Sequence, residues 1–383
     1  MFHSCCRYVP QPEFNIQGMT ETSAPKKQKH TAIRKNGRYN MRRRSRPAAR
    51  GPAQPLHAVY AALDLGTNNC RLLVAKPSQN GFRIIDAFSR IVRLGEGLGN
   101  SDSLSEEAIE RTLHALQVCK NKLEMNQVTR ARLVATEACR GAKNGADFTA
   151  RVKDMLGLDI EIVDRKTEAF LAVAGCSSLV DPRAEASIIF DIGGGSTEIA
   201  CLRGKMRGRL ADPSGNIRAW DSLETGVVTL AERYGGHDVN WETYEAMVAE
   251  VEDLLAGFAS RAKDAVKAPY FHLLGTSGTV TTLGGLFLGL ARYDRRRVDG
   301  LWMSDRDMTE VIEHLIGMSY EERAANGCVG KERADLVLAG CAILDAIRRI
   351  FPARFLRIAD RGLREGILMK MMREDGVWRQ GAA

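Results

Sequence analysis

No stretch of this 383-residue chain is apolar over the roughly 18 residues a bilayer-spanning helix requires, so the sequence predicts no membrane span. The N-terminus lacks the apolar core and small-residue cleavage site of a secretory signal. Nine cysteines run from Cys5 to Cys341 with only Cys5 and Cys6 adjacent, which fits neither a disulfide framework nor zinc-ligand spacing. Buried, reduced thiols in a cytoplasmic protein are the expectation. The seven histidines are equally dispersed, and His272, inside an apolar strand, reads as a satisfied core residue. The body also lacks net charge. Twelve Lys and Arg stand against Glu13 and Glu21 in residues 1–57; this +10, set against +8 overall, leaves residues 58–383 at −2.

What is present falls into a basic arm and a globular body. Arg42, Arg43, Arg44, Arg46 and Arg50, with Pro47, Pro52 and Pro55, make an aperiodic run that reads as a disordered arm over residues 1–57. It is equally consistent with a tether for a polyanion such as polyphosphate or RNA and with a solvated tail or an over-long start ahead of Met19 or Met41. The chain as a whole has the ordinary composition of a soluble globular protein, and its 383 residues exceed the size of one core, which predicts two domains.

The most informative stretch is Ile188 to Ala200: an apolar strand, three glycines, then a second strand from near Thr197. Consecutive glycines between buried strands are costly in backbone entropy and suit a backbone that must come close to a ligand. Amides of Gly193, Gly194 and Gly195 in such a turn can converge on an anion, with Ser196 and Thr197 adding hydroxyls. Asp191 and Glu198 bracket the turn with carboxylates suited to Mg²⁺.

The same design occurs earlier and later. Strands Val59–Leu65 and Cys70–Ala75 flank Asp64-Leu65-Gly66-Thr67-Asn68-Asn69, where Gly66 admits an anion and Thr67, Asn68 and Asn69 supply donors. Two such units predict an internal duplication. Arg83–Leu94 reads as a third strand, Leu104–Met125 as a helix capped by Ser103, and Ala131–Ala135 as a strand leading into a polar stretch. There Arg140 and Asn144, four apart, are expected to share a helix face, Arg140 serving as a phosphate fork or a surface ion pair. Strand Asp159–Val163 precedes a helix from about Thr167 that carries Glu168 toward a crevice between the halves. Residues 203–209 read as a hairpin tip, followed by strand Ile217–Leu223 and helix Trp241–Lys263. Phe271 to Thr279 then repeats the theme, placing Gly275, Thr276, Ser277 and Gly278 before a helix N-terminus as a third anion element. Arg292–Arg297 reads as a basic loop, Asp305–Met318 and Arg333–Ile350 as helices, Phe355–Ile358 as a strand, and Gly362–Met372 as the last helix.

Together these units resemble the exopolyphosphatase and guanosine pentaphosphate phosphohydrolase family of the actin-like superfamily, over residues 58 to 373. The resemblance rests on Asp64 to Asn68, on Ala135-Thr136 with Arg140 and Asn144, on Asp191 to Glu198, on Gly275 to Thr279, and on Asp360-Arg361-Gly362-Leu363-Arg364-Glu365-Gly366. It implies an α/β, two-lobed, duplicated actin-like (ribonuclease H-like) fold with a central cleft. The first lobe would take residues 58–167 with a returning helix at about 362–376, and the second residues 168–361. It implies Glu168 as general base, with Arg140 and Glu198 beside it, and Mg²⁺ near Asp64, Asp191 and Glu198. Asn69 departs from the family's usual serine, and Lys166-Thr167 from its acidic or polar residues before the glutamate. Longer members continue into a C-terminal helical domain, and the resemblance implies the short form without it.

The implied activity is hydrolysis of the terminal phosphate of inorganic polyphosphate, with guanosine pentaphosphate as the alternative substrate and a homodimer as a possible assembly. An actin-like or sugar-kinase-type ATPase and a non-enzymatic polyphosphate sensor share the fold, which does not by itself decide function.

Overall fold

The computed structural model describes residues 58–378 apart from 207 and 209, so the basic arm, Cys5 and Cys6, and part of the expected 203–209 tip lie outside the described residues. Two sheets carry the chain. The first runs β3-β2-β1-β4-β5, from β1 (Tyr60–Leu65), β2 (Asn69–Ser78), β3 (Gly81–Ile91), β4 (Arg130–Ala135) and β5 (Ile160–Ile162). The second comprises β6 (Ala186–Ile192), β7 (Thr197–Arg203), β8 (Ile217–Leu223), β9 (Phe271–Thr276), β10 (Trp302–Ser304) and β11 (Phe355–Ala359), in the order β10-β11-β9-β6-β7-β8.

The duplication expected from the two glycine turns is visible in the pairing. β1 lies antiparallel to β2 and parallel to β4, and β6 lies antiparallel to β7 and parallel to β9. Each copy therefore opens with a hairpin whose tip carries one phosphate-type turn, and continues by parallel crossover. This is the two-lobed actin-like arrangement, with β10 added as an antiparallel edge of the second sheet.

Apolar alternation places the cores. β1 buries both faces: Ala61, Leu63 and Leu65 pack with the helix Glu106–Met125, and Tyr60 and Ala62 with the last helix, Leu363–Glu374. The last helix thus packs on β1 and its neighbours in the first sheet. It crosses the helix Arg165–Cys176 at Gly175 and Gly366, where a Cβ on either would overlap the opposing backbone. Only glycine lets two helix axes approach so closely. The 167/168 domain division expected from the sequence passes through the first turn of helix Arg165–Cys176, which packs on β6, β7 and β8 of the second sheet and on the last helix.

Some local expectations are corrected. The first long helix is capped by Ser105, whose Oγ accepts from the Ala108 amide, not by Ser103; Glu106 and Glu107 then favour the helix N-terminus. The helix expected from Arg333 begins at Val337, and the residues before it form turns. Arg292–Arg297 is not wholly loop, because Asp294 caps a helical turn at Arg295–Val298. His272 is buried as expected, its ring meeting Ser187 Oγ at 3.2 Å and the Leu273 carbonyl at 2.9 Å. The seven described cysteines are free and buried. Among the described residues, no helix is long and apolar enough to cross a membrane.

Candidate active site

A cavity of about 110 Å³ lies where the turns of the two hairpins meet, and Asp64, Gly66, Thr67, Asn68, Glu168, Asp191, Gly193, Gly194, Gly195, Ser196, Glu198, Ser277 and Gly278 all line it. The turns touch directly: a Cβ on Gly194 would sit 2.9 Å from Thr67 Cβ, and one on Gly195 2.7 Å from Thr67 Oγ1. Each turn is braced by one internal bond, Gly66 N to Asn69 O and Gly193 N to Ser196 O, both 2.9 Å. The amides of Thr67, Asn68, Gly194, Gly195 and Ser196 find no acceptor among the described groups. The first amides of the helix Gly278–Phe287 add donors no helix can satisfy internally. Its cap, Ser277, holds φ 139°, a conformation strained for a side-chain-bearing residue, beside the cavity. A set of unpartnered amides drawn from both lobes is an anion cradle.

Four carboxyl groups face this cradle. Glu168 sits in the first turn of its helix, which Asp164 caps by accepting the Thr167 amide at 2.6 Å. Arg140 Nη1 donates to Glu168 Oε2 at 2.9 Å and to the Val163 carbonyl at 2.8 Å, and the same guanidinium pairs with Glu137. Glu137 also accepts from Arg165 at 3.2 Å. Arg140 is therefore a half-buried brace for Glu168 and not a free phosphate fork. Burial pushes the Glu168 carboxyl up to about 7 against the pull of Arg140. Burial, then Asp64, raises Asp191 to about 6. Glu198 is driven well above the usual range by burial, then by Glu168 and Asp191, while Ser196 Oγ and Ser222 Oγ donate to it at 2.8 and 2.9 Å. Asp64 is raised by burial and partly offset by Arg71 and Arg364.

Among the described residues, no three acidic, histidine or cysteine side chains converge as a metal cage. Asp64, Asp191 and Glu198 nevertheless repel one another in a small buried space, and Asn68 Oδ1 is a buried acceptor with no partner. That donor set fits a hard cation held by one or two carboxylates and completed by water and phosphate oxygens, which is how Mg²⁺ is usually bound.

Other expected residues lie elsewhere. Asn144 stands at the N-cap position of the helix Gly145–Leu156 without capping it, because its side-chain amide is consumed by the Leu104 backbone, accepting at 2.8 Å and donating at 3.0 Å. Arg140 belongs to the separate helix Glu137–Gly141, so the two do not share a face. Thr197 Oγ1 donates to the Thr225 carbonyl at 2.8 Å, away from the cradle. Gly275 allows Phe190 to pack against β9, a Cβ there falling 2.7 Å from the ring. Thr276 lines a second cavity, of about 660 Å³, on the far side of Asp64 and Asp191. Arg71, Arg333 and Arg364 also line it, and none of the three guanidinium groups makes a hydrogen bond or ion pair to a described group. Sequence reasoning assigned none of these arginines to the site; Arg71, a charge beside the apolar Leu72, Leu73 and Val74, and Arg364, within the Asp360 to Gly366 stretch, were the available signals.

A family model described as the Ppx/GppA phosphatase family matches residues 73–375. Exopolyphosphatase 2 of Mycobacterium tuberculosis is 28% identical over 328 residues, covering 81% of this chain and 98% of the relative. The Aquifex aeolicus PPX-GPPA enzyme is 31% identical, with 82% and 99% of the two chains covered and a TM-score of 0.66. The crystal structure of an exopolyphosphatase-like protein covers 83% and 98% at 27% identity, with a TM-score of 0.73.

Proposed function

Because the chain belongs to the Ppx/GppA phosphatase family and is a phosphatase, we propose that it is an exopolyphosphatase releasing the terminal phosphate of inorganic polyphosphate. The observation that carries this reading is the buried Glu168, braced by Arg140, facing a cradle of unpartnered amides from both lobes. In-line attack needs a water oxygen placed against the terminal phosphorus and a base to take its proton. Glu168 accepts that proton on its carboxylate as the new P–O bond forms. The bridging P–O bond breaks, and the electron pair stays on the shortened chain. Amides of Gly194, Gly195 and Ser196, with those of Thr67 and Asn68, hold the equatorial oxygens and the charge that develops on them. Mg²⁺ bound among Asp64, Asp191 and Glu198 would supply further charge neutralisation. Arg71, Arg333 and Arg364 in the adjoining cavity offer guanidinium forks to the next phosphates.

The same reading takes residues 58–167 with the last helix as one lobe and 168–361 as the other. Guanosine pentaphosphate is the second substrate reading, favoured by the Tyr293 ring in the wall of the second cavity, beside its arginines. The deciding assay offers the purified protein with Mg²⁺ long polyphosphate, guanosine pentaphosphate or ATP and measures free phosphate. Release from polyphosphate at the highest kcat/KM is expected. Activity on ATP alone would point to an actin-like ATPase, and activity on none to a binding protein.

A further inference from the structure

The basic run Arg292–Arg297 is not used by the chemistry above, yet it forms part of a third cavity, of about 630 Å³. That cavity lies between the β2–β3 hairpin and the helices Arg165–Cys176 and Leu363–Glu374. Arg295 and Arg361 line both it and the second cavity, so these two side chains are the shared wall. The second cavity in turn shares Asp64, Arg71, Asp191 and Arg333 with the catalytic one. The second cavity therefore adjoins both of the others, and guanidinium groups line each boundary.

The charges of the third cavity are unbalanced. Its acids, Asp299 and Glu365, are consumed by Arg361 and Arg295: Arg361 pairs with Asp299 and donates to Ser178 Oγ at 3.2 Å, and Arg295 reaches Glu365 at 3.0 Å. Arg83 on β3 and Arg296 on the helical turn complete the wall, are exposed, and use their side chains in no ion pair or hydrogen bond to a described group. Two uncompensated guanidinia at the end of three adjoining arginine-lined spaces suit a linear polyanion whose charge repeats along its length. A compact anion would fill only one of the cavities.

Resting on the exopolyphosphatase reading, we propose that this third cavity is a distal subsite that holds the remote phosphates of long polyphosphate chains through Arg83 and Arg296. Both are remote from the cradle, so they set affinity for long chains without touching the reacting phosphate. Each fork to a phosphate is a charge-assisted contact that salt screens.

The test compares the full chain with its R83S/R296S variant, after confirming equal melting temperatures. Steady-state kinetics use tripolyphosphate and polyphosphate several hundred units long. KM for the long chain should rise about tenfold, the scale of losing two such contacts, with kcat and all tripolyphosphate constants unchanged. Binding of the long chain without Mg²⁺ should weaken by a similar factor and depend less steeply on salt. Equal effects on both lengths, no effect, or no binding of long chains by the wild type would overturn the subsite. Weakened binding in the variant, with neither protein releasing phosphate, would sustain the subsite and refute the hydrolase reading.

Discussion

Replacing Glu168 by glutamine separates the proposed base from every other role the residue has. Glu168 lies in a helix first turn, is almost wholly buried, and receives one hydrogen bond from Arg140 Nη1 at 2.9 Å. Glutamine has the same volume, and its Oε1 still accepts that bond, so the brace through Arg140 and Glu137 survives. Two things change. The proton acceptor disappears, which for a positioned general base costs about 10²–10⁴-fold in turnover. One of four crowded carboxyl groups also loses its charge, which relieves Glu198, whose carboxyl Glu168 helps to hold above its usual range. The burial that pushes Glu168 up to about 7 penalises its ionised form, so the variant should lose little stability and melt within a few degrees of the wild type. Phosphate release from polyphosphate should therefore fall at least ~10²-fold in kcat, with KM nearly unchanged because chain binding is left to amides and arginines. The wild-type rate should rise with pH through the neutral range as Glu168 ionises, and the variant should lose that limb. A variant that melts normally and keeps more than about a tenth of the wild-type kcat would refute the assignment.

Three further outcomes follow from the geometry. Asp191 and Glu168 titrate at about 6 and about 7, and Asp64 and Glu198 are also raised, so the folded state holds protons that the unfolded state releases from about pH 4. Their contribution to stability is full below that pH and falls as pH rises to about 7; a metal-free melting temperature that climbs from pH 5 to pH 7.5, or fails to rise on adding Mg²⁺ at pH 7.5, would contradict it. Gly194→Ala places a Cβ 2.9 Å from Thr67 Cβ and 3.2 Å from the Asn68 amide, forcing the two turns apart. It should lower kcat/KM by about 10–10²-fold, and unchanged kinetics would mean that the turns do not act together. Gly366→Ala drives a methyl group into the Leu171 carbonyl where the last helix crosses its neighbour, and should cost about 3 kcal/mol by overpacking; denaturant melts read this directly, and a shift under about 0.5 kcal/mol would show that the crossing is not tight.

Much of the site was legible in the chain because its signals are local. Three glycines between an acid and a hydroxyl pair marked the β6–β7 tip, the Asp64 turn repeated the design, and a carboxylate opening a helix marked Glu168. Strand and helix periodicity likewise predicted most elements to within a few residues, since alternation of buried side chains is a property of neighbouring positions. Arg140 shows where locality ends. Its spacing from Asn144 suggested one helix face, but Ala142 and Lys143 break the helix, turning Arg140 inward to Glu168 and Asn144 outward to the Leu104 backbone.

The sequence by itself determined the chemistry available: glycine turns, carboxylates, and a helix N-terminus of the kind that binds phosphate. Only the tertiary structure decided which of these groups meet. Arg71 on β2, Arg333 before the helix Val337–Ile350 and Arg364 on the last helix lie apart in the chain, and reach one cavity because the first sheet delivers the ends of β1 and β2, and the second those of β6, β9 and β11, to its wall. The same convergence sets how the carboxyls titrate. An isolated Asp191 would be an ordinary acid; walled in beside Asp64, it holds its proton to about 6, because burial and a neighbouring negative charge both oppose ionisation.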